Sequence, residues 1–268
     1  MKASCSSTRL ASAGATEMHA LIDCAAQIGF QGITIDFSPG SLFSPDSFRF
    51  STCAEIVRYA QAQGIEINSL RGIGITLAGQ DEDELLKKVI CLSHALACPL
   101  VTFSLPEREK EGDEYKQLLT IVRNAVEFAA ELDICLAVEA LADSWAATVD
   151  AAIDFVDDVD RLNIGIVYNP RYHSLEKDTA PAAVIEAINT YTLMILLAPE
   201  TGAAIRDGRY EAELRLFQTA GFSEYVCDGS CCRAGAPYAD QFSSIHDNFD
   251  YLRNLNILDS VETTVIDQ

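Results

Sequence analysis

The chain has 268 residues, close to the roughly 250 residues of one α/β barrel, so we expect a single domain over residues 1–268. Its hydrophobic fraction of 49% and charged fraction of 22% exclude a disordered or collagen-like chain. The formal net charge of −21 disfavours nucleic acids and anionic membrane surfaces as partners, because both carry negative charge.

The sequence predicts neither a membrane-spanning helix nor a signal peptide. Its longest apolar run, residues 193–199, is far shorter than the roughly 20 residues that cross a bilayer. Arg9, Glu17 and Asp23 interrupt any apolar signal-peptide core near the start. The 9 cysteines are odd in number and scattered, which is typical of reduced thiols. These features predict a cytoplasmic protein.

Short β-rich apolar runs recur along the chain, each after an amphipathic stretch. Their starts lie about 30 residues apart, the length of one strand and its crossover helix. We predict strands at residues 3–5, 33–37, 65–68, 100–103, 134–139, 164–168, 193–197 and 224–227. Eight such units favour a single closed (β/α)8 TIM barrel, with a doubly wound open sheet as the alternative.

The segments between these runs carry helical signals. Helical spacing of apolar residues predicts helices over residues 16–27, 81–97, 113–132 and 239–255, the first capped by Thr16. Glycines stand where helices are expected to stop, at Gly29, Gly32, Gly64 and Gly221. Residues 71–79 contain several glycines without dinucleotide-binding spacing and are predicted to form a turn.

Two carboxylates end predicted strands, where TIM barrels place their chemistry. Glu139 ends the fifth run and Asp228 follows the eighth. A carboxylate in this position faces a polar opening or is buried at a high cost. We therefore predict both as catalytic, sharing acid and base roles or holding a divalent cation. The alternatives are a structural pair between Glu139 and Arg71, and a turn-forming role for Asp228.

Other polar side chains are expected around the same opening. The predicted substrate-binding residues are Arg71, Asn169, Arg171, Tyr172 and His173, and further strand-end candidates are Cys5, Ser6, Asp36, Ser104 and Glu200. A guanidinium suits a carboxylate or phosphate but serves equally as a counter-ion for Glu139. Aromatic residues that could stack on a sugar or cover the rim are Phe43, Phe48, Phe50, Tyr168 and Tyr172. Cys227, Cys231 and Cys232 are soft-metal ligands or, alternatively, inert thiols.

Three segments carry a resemblance to a known family: residues 137–139 (Ala-Val-Glu), 163–170 (Asn-Ile-Gly-Ile-Val-Tyr-Asn-Pro) and 249–255 (Phe-Asp-Tyr-Leu-Arg-Asn-Leu). With the whole-chain layout, they resemble the xylose isomerase-like TIM barrels, the sugar-phosphate isomerase and epimerase superfamily. The resemblance implies an isomerase or epimerase of carbohydrate metabolism that transfers a proton next to a carbonyl.

The resemblance also implies one divalent metal, such as Mn²⁺, Mg²⁺, Co²⁺ or Zn²⁺, held by residues on strands five to eight. Glu139 matches the family's glutamate on strand five. Asn169 replaces the family's aspartate on strand six, Leu197 replaces its histidine on strand seven, and Asp228 replaces its glutamate on strand eight. Hard cations prefer several anionic oxygens. The predicted ligands Glu139, Asn169 and Asp228 therefore form a weakened site, or no metal is bound.

The expected function is a sugar or sugar-phosphate isomerase or epimerase with a small carbohydrate-like substrate, in which a divalent metal assists if the site retains one. One alternative is a non-catalytic barrel that binds a small polyol or a protein partner, because two expected ligands are missing. Another is a metal-independent lyase or hydrolase that pairs Glu139 with Asp228. The sequence leaves the oligomeric state open, a homo-oligomer included.

Overall fold

The computed structural model describes residues 1–37, 41–75, 77, 82–108, 113–170, 180–198, 205, 209–229 and 237–259. Eight parallel strands close into a barrel in chain order. They are β1 (Lys2–Ser6), β2 (Gly32–Asp36), β3 (Glu66–Gly74), β4 (Leu100–Ser104), β5 (Cys135–Glu139), β6 (Ile164–Tyr168), β7 (Thr192–Leu197) and β8 (Tyr225–Asp228). The predicted TIM barrel is confirmed, and each predicted run overlaps one strand.

The third strand departs from its prediction. β3 continues to Gly74, so the turn predicted over residues 71–79 is wrong for residues 71–74. Arg71 pairs with Asp36 of β2, and Gly74 pairs with Ser104 of β4. Gly72 has a φ of +89° where the register with β4 shifts, a conformation that glycine adopts easily. Arg71 therefore lies on a strand at the mouth.

Helices surround the barrel. Within the described residues they are α1 (Ser7–Ser12), α2 (Met18–Ile28), α3 (Phe50–Ala62), α4 (Glu82–Ala95), α5 (Asp113–Ala130), α6 (Val149–Val159), α7 (Pro181–Ile188), α8 (Arg209–Thr219) and α9 (Tyr238–Asn254), with 3₁₀ turns at Pro45–Ser47 and Asn189–Tyr191. The predicted cap at Thr16 is wrong, because Glu17 is the N-cap residue and makes no side-chain cap bond. Gly29 ends α2 with a left-handed φ of +109°.

Strand residues alternate between the barrel interior and the layer beneath the helices. One buried cluster fills part of the interior: Leu100, Ala137, Val167, Met194, Leu196, Tyr225 and Cys227. The outward-facing strand residues, such as Ile195, Leu197 and Val226, belong to the larger cluster with the helices. This alternation decides which strand-end side chains reach the mouth.

The opposite end of the barrel is closed by Tyr225. Its hydroxyl donates to Glu66 Oε2 at 2.7 Å, and Lys2 Nζ donates to Glu66 Oε1 at 3.0 Å. A Cβ on Gly32 would lie 2.6 Å from the Tyr225 ring, so only glycine leaves room for this ring. Lys2, Glu66 and Tyr225 begin their strands, so this closure lies at the amino end of the barrel, opposite the mouth.

The cysteines and the helices relate to the predictions of reduced thiols and of no membrane-spanning segment. The seven cysteines among them are free, namely Cys5, Cys24, Cys53, Cys91, Cys98, Cys135 and Cys227, whereas Cys231 and Cys232 lie outside the described residues. Within the same part of the chain, every helix is too short or too polar to cross a membrane.

Candidate functional site

The guanidinium of Arg71 lies between two carboxylates at the barrel mouth. Its Nε and Nη2 donate to the two oxygens of Glu139 at 3.1 and 3.0 Å, and its Nη1 donates to Asp36 Oδ1 at 3.1 Å. The three side chains come from β3, β5 and β2. Three of the five N–H groups of the guanidinium make these bonds, and the other two have no hydrogen-bond partner among the described residues. We call these residues, Asp36, Arg71 and Glu139, the mouth triad.

Glu139 accepts a hydrogen bond from Thr102 in addition to those from Arg71. The hydroxyl of Thr102 on β4 donates to Glu139 Oε1. Burial raises the pKa of Glu139, but the charge of Arg71 and the hydrogen bonds from Arg71 and Thr102 outweigh it, so the pKa lies below its usual range. Glu139 is therefore ionised at neutral pH, as a proton acceptor must be.

Asp36 ties the mouth triad to the start of α1. The backbone N–H of Thr8 donates to Asp36 Oδ2 at 3.2 Å, and the Asp36 N–H donates to Ser7 Oγ at 2.9 Å. Burial alone would lower the pKa of Arg71. The neighbouring Glu139 and Asp36 outweigh burial and raise this pKa above its ordinary value, so Arg71 stays charged.

A cleft of about 520 Å³ opens beside the mouth triad, within the size range of small-molecule sites. Its polar wall consists of Arg71, Glu139 and Ser104. Its apolar wall consists of Phe37, Pro45, Ile73, Leu85 and Leu141. Arg71 remains 18% exposed and Glu139 11% exposed, so both are within reach of a ligand there.

Asp228 occupies a different environment from Glu139. It pairs in register with Leu197, which faces the helices, whereas its neighbour Cys227 faces the interior. Asn248 Nδ2 of α9 donates to Asp228 Oδ2 at 3.0 Å. The structure thus does not place Asp228 opposite Glu139 as predicted, because strand alternation turns the two carboxylates to opposite sides of the barrel wall.

At the mouth ends of β7 and β8, the positions that follow the inward residues Leu196 and Cys227 are the small residues Ala198 and Gly229. Gly229 follows Asp228, and a Cβ built on it would lie 3.6 Å from Arg71 Nη1 and 2.6 Å from Leu196 Cδ1. Leu197 faces outward, and the neighbouring Ala198 packs against the interior cluster. The guanidinium therefore reaches across the mouth from β3 towards β8.

Asn169 and Tyr168, both predicted near the end of the sixth run, lie in different surroundings. Asn169 directly follows β6 and is nearly buried. Tyr168 points away from the mouth, since its ring packs edge-on to Phe217 of α8 at 4.8 Å and its hydroxyl donates to Glu213. Four further predicted site residues, Arg171, Tyr172, His173 and Glu200, lie outside the described residues.

The described residues do not fit the metal site that the resemblance implies. Both oxygens of Glu139 accept from the cationic Arg71, Leu197 and Asp228 face outward, and Gly229 offers no side chain. Within the described part of the chain, no three His, Cys, Asp or Glu side chains are grouped to share an ion. The positive charge next to Glu139 is a guanidinium that the chain itself supplies.

Sequence reasoning missed Thr102, Phe37 and Gly229 as parts of the site. Alternation along β4 could have indicated Thr102, which is two residues before the candidate Ser104. Phe37 leads an aromatic group, with Phe48 at 5.9 Å and Phe43 at 5.3 Å from Phe48. No local signal marks Gly229, because its role depends on Arg71 arriving from another strand.

The fold places the protein among the (β/α)8 barrels, a class whose active sites lie at the carboxyl ends of the strands. Residues 22–219 match the xylose isomerase-like TIM barrel family, and the chain belongs to that family. No curated protein sequence matches the chain.

Solved structures with the same fold differ in their activities. D-psicose 3-epimerase from Clostridium cellulolyticum H10 superposes with a TM-score of 0.78 at 14% identity, covering 95% of this chain and 99% of that chain. The 3-keto-D-glucoside 4-epimerase from E. coli has a TM-score of 0.74 at 14% identity, covering 96% and 99%. The probable 3-DHS dehydratase from Bacillus anthracis has a TM-score of 0.74 at 12% identity, covering 95% and 99%. At these identities the likeness establishes the fold, and the reaction must be argued from the site.

Proposed function

We propose that this chain is a sugar isomerase- or epimerase-like enzyme that transfers a proton next to the carbonyl of a small carbohydrate-like substrate. The observation that carries the proposal is the contact between Arg71 and Glu139 beside the cleft. Such a reaction needs a base at the carbon and a positive charge near the oxygen on which negative charge develops.

In this proposal Glu139 accepts the proton, and the free N–H groups of Arg71 stabilise the negative charge on the carbonyl oxygen. Thr102 and Asp36 position the two groups by fixing the carboxylate and the guanidinium. Sugar-processing neighbours with the same fold support the substrate class. The described residues support Arg71, rather than a divalent metal, as the positive charge.

Deuterium exchange tests the reaction directly. The protein is incubated with a panel of ketoses and aldoses in D₂O, and NMR follows replacement of the hydrogen next to the carbonyl. We expect exchange with at least one sugar, loss of it in Glu139→Gln, and retention in the control Glu66→Gln at the other end of the barrel. Exchange that persists in a folded Glu139→Gln protein would disprove the assigned role of Glu139.

Calorimetric titration of metal-stripped protein with Mn²⁺, Mg²⁺, Co²⁺ and Zn²⁺ tests the metal. We expect no stoichiometric binding that depends on Glu139, and exchange that is insensitive to chelator. Binding lost in Glu139→Gln would instead support a metal-assisted enzyme that draws ligands from the loops after β6 and β7.

One observation favours the alternative of a non-catalytic barrel that binds a polyol or a protein. Asp228 faces away from the mouth, so Glu139 lacks the expected second carboxylate on the β8 side within the described residues. A binding protein of this kind would show saturable sugar binding without deuterium exchange.

A further inference from the structure

Exposed apolar side chains are concentrated around the mouth. The large apolar side chains that are exposed among the described residues are Leu42, Phe50, Leu85, Leu141 and Leu162. The first four follow the carboxyl ends of strands, on the side of the barrel that holds the mouth triad. Only Leu162 among these five precedes a strand, β6, and lies at the opposite end.

Two of these side chains line the same cleft as the mouth triad. Leu85 in α4 is 40% exposed and Leu141 after β5 is 42% exposed, and both contribute to the 520 Å³ cleft. Ile73 and Phe37 continue this wall towards Arg71. Apolar surface that remains exposed beside convergent polar groups is typical of a ligand site.

We infer that the cleft binds an amphipathic small molecule, with a hydroxylated carbonyl head at Arg71 and Glu139 and a hydrocarbon substituent along Ile73, Leu85 and Leu141. This inference rests on the proposed function for the nature of the head. It adds that a bare sugar leaves the apolar wall exposed, whereas a substituted one covers it. The substituent then supplies binding energy through burial of apolar surface.

A series of hydroxymethyl ketones with methyl, propyl and pentyl chains tests the inference, because every member has the same head. NMR titration gives the dissociation constant of each compound for the full chain. We expect the constant to fall by about twofold to fourfold for each added methylene, which corresponds to partial or complete burial. A constant that does not change with chain length, or no measurable binding of the pentyl compound, would overturn the inference.

Serine variants locate the effect on the protein. Leu85→Ser and Leu141→Ser should each weaken binding of the pentyl ketone severalfold while leaving the methyl ketone within twofold. Both side chains are already partly exposed, so these variants should fold. Leu162→Ser is the matched control, and an equal loss of affinity there would show nonspecific hydrophobic binding and overturn the assignment.

The outcomes separate this inference from the proposed function. Affinity that rises with chain length without deuterium exchange would support the amphipathic ligand and count against the enzyme. Exchange with affinity independent of chain length would support the enzyme and overturn the amphipathic ligand.

Discussion

Glu139 and Asp228 each end an apolar strand of the same barrel, yet their side chains lie in different environments. Glu139 lies inside the mouth against Arg71, next to a cleft. Asp228 is fully buried behind the barrel wall and accepts from Asn248 of α9. A carboxylate at a strand end therefore marks a site only when the strand points it into the barrel interior, and a shift of one residue along the strand reverses its direction.

Glu139→Gln should have the largest effect on stability. Removing one charge from a buried ion pair leaves its partner poorly compensated, and we expect a loss of about 3 kcal/mol in the free energy of unfolding at pH 7. The matched variant Glu66→Gln disrupts the exposed pair with Lys2 and should cost about 1 kcal/mol or less. Urea denaturation measures both, and equal costs would contradict the distinction between the mouth and the closed end.

The contribution of Glu139 should also depend on pH with a defined sign. Because its pKa is lowered in the folded protein, Glu139 stabilises the fold above its ordinary pKa of 4.5, and this stabilisation is lost as the pH falls further. The stability difference between wild type and Glu139→Gln should therefore be constant near neutrality and shrink below about pH 4.5. A difference that grows in acid would reverse the assigned direction of the shift.

Asp228→Ala should affect stability but not binding. It leaves the buried amide of Asn248 without this acceptor, and we expect a loss of about 2 kcal/mol in the free energy of unfolding. Because Asp228 faces α9, the dissociation constant of a cleft ligand should stay within twofold of wild type. A tenfold change in a folded protein would place Asp228 in the site after all.

The thiol beneath the mouth gives the smallest expected signal. Burial raises the pKa of Cys227 to about 12 despite its hydrogen bond to Thr34 and the charge of Arg71. When native protein is treated with iodoacetamide at pH 8, we expect the partly exposed Cys24 and Cys91 to react and Cys227 to stay unmodified. Peptide mass mapping reads the result, and rapid alkylation of Cys227 would show that the interior is open.

Part of the site was accessible to sequence reasoning. The fifth predicted strand ends in Glu139, for which the sequence analysis considered a catalytic role and, as the alternative, an ion pair with Arg71. That ion pair is present at the mouth. Asp36 and Ser104 also lie at the mouth, as strand ends predict. The sequence could not show whether Glu139 and Asp228 face each other. Strand alternation says that adjacent residues point to opposite sides, but it does not say which of the two points to the barrel axis.

The barrel was predictable from the sequence, since eight apolar runs at a regular spacing favour a closed barrel over a doubly wound open sheet. The family was predictable as well, from the whole-chain layout and three short segments. Which side chains share the mouth depends instead on tertiary contacts. Closure of the sheet sets the strand register, register sets which face points inward, and only then do Arg71, Asp36 and Glu139 from three distant segments meet beside an apolar wall.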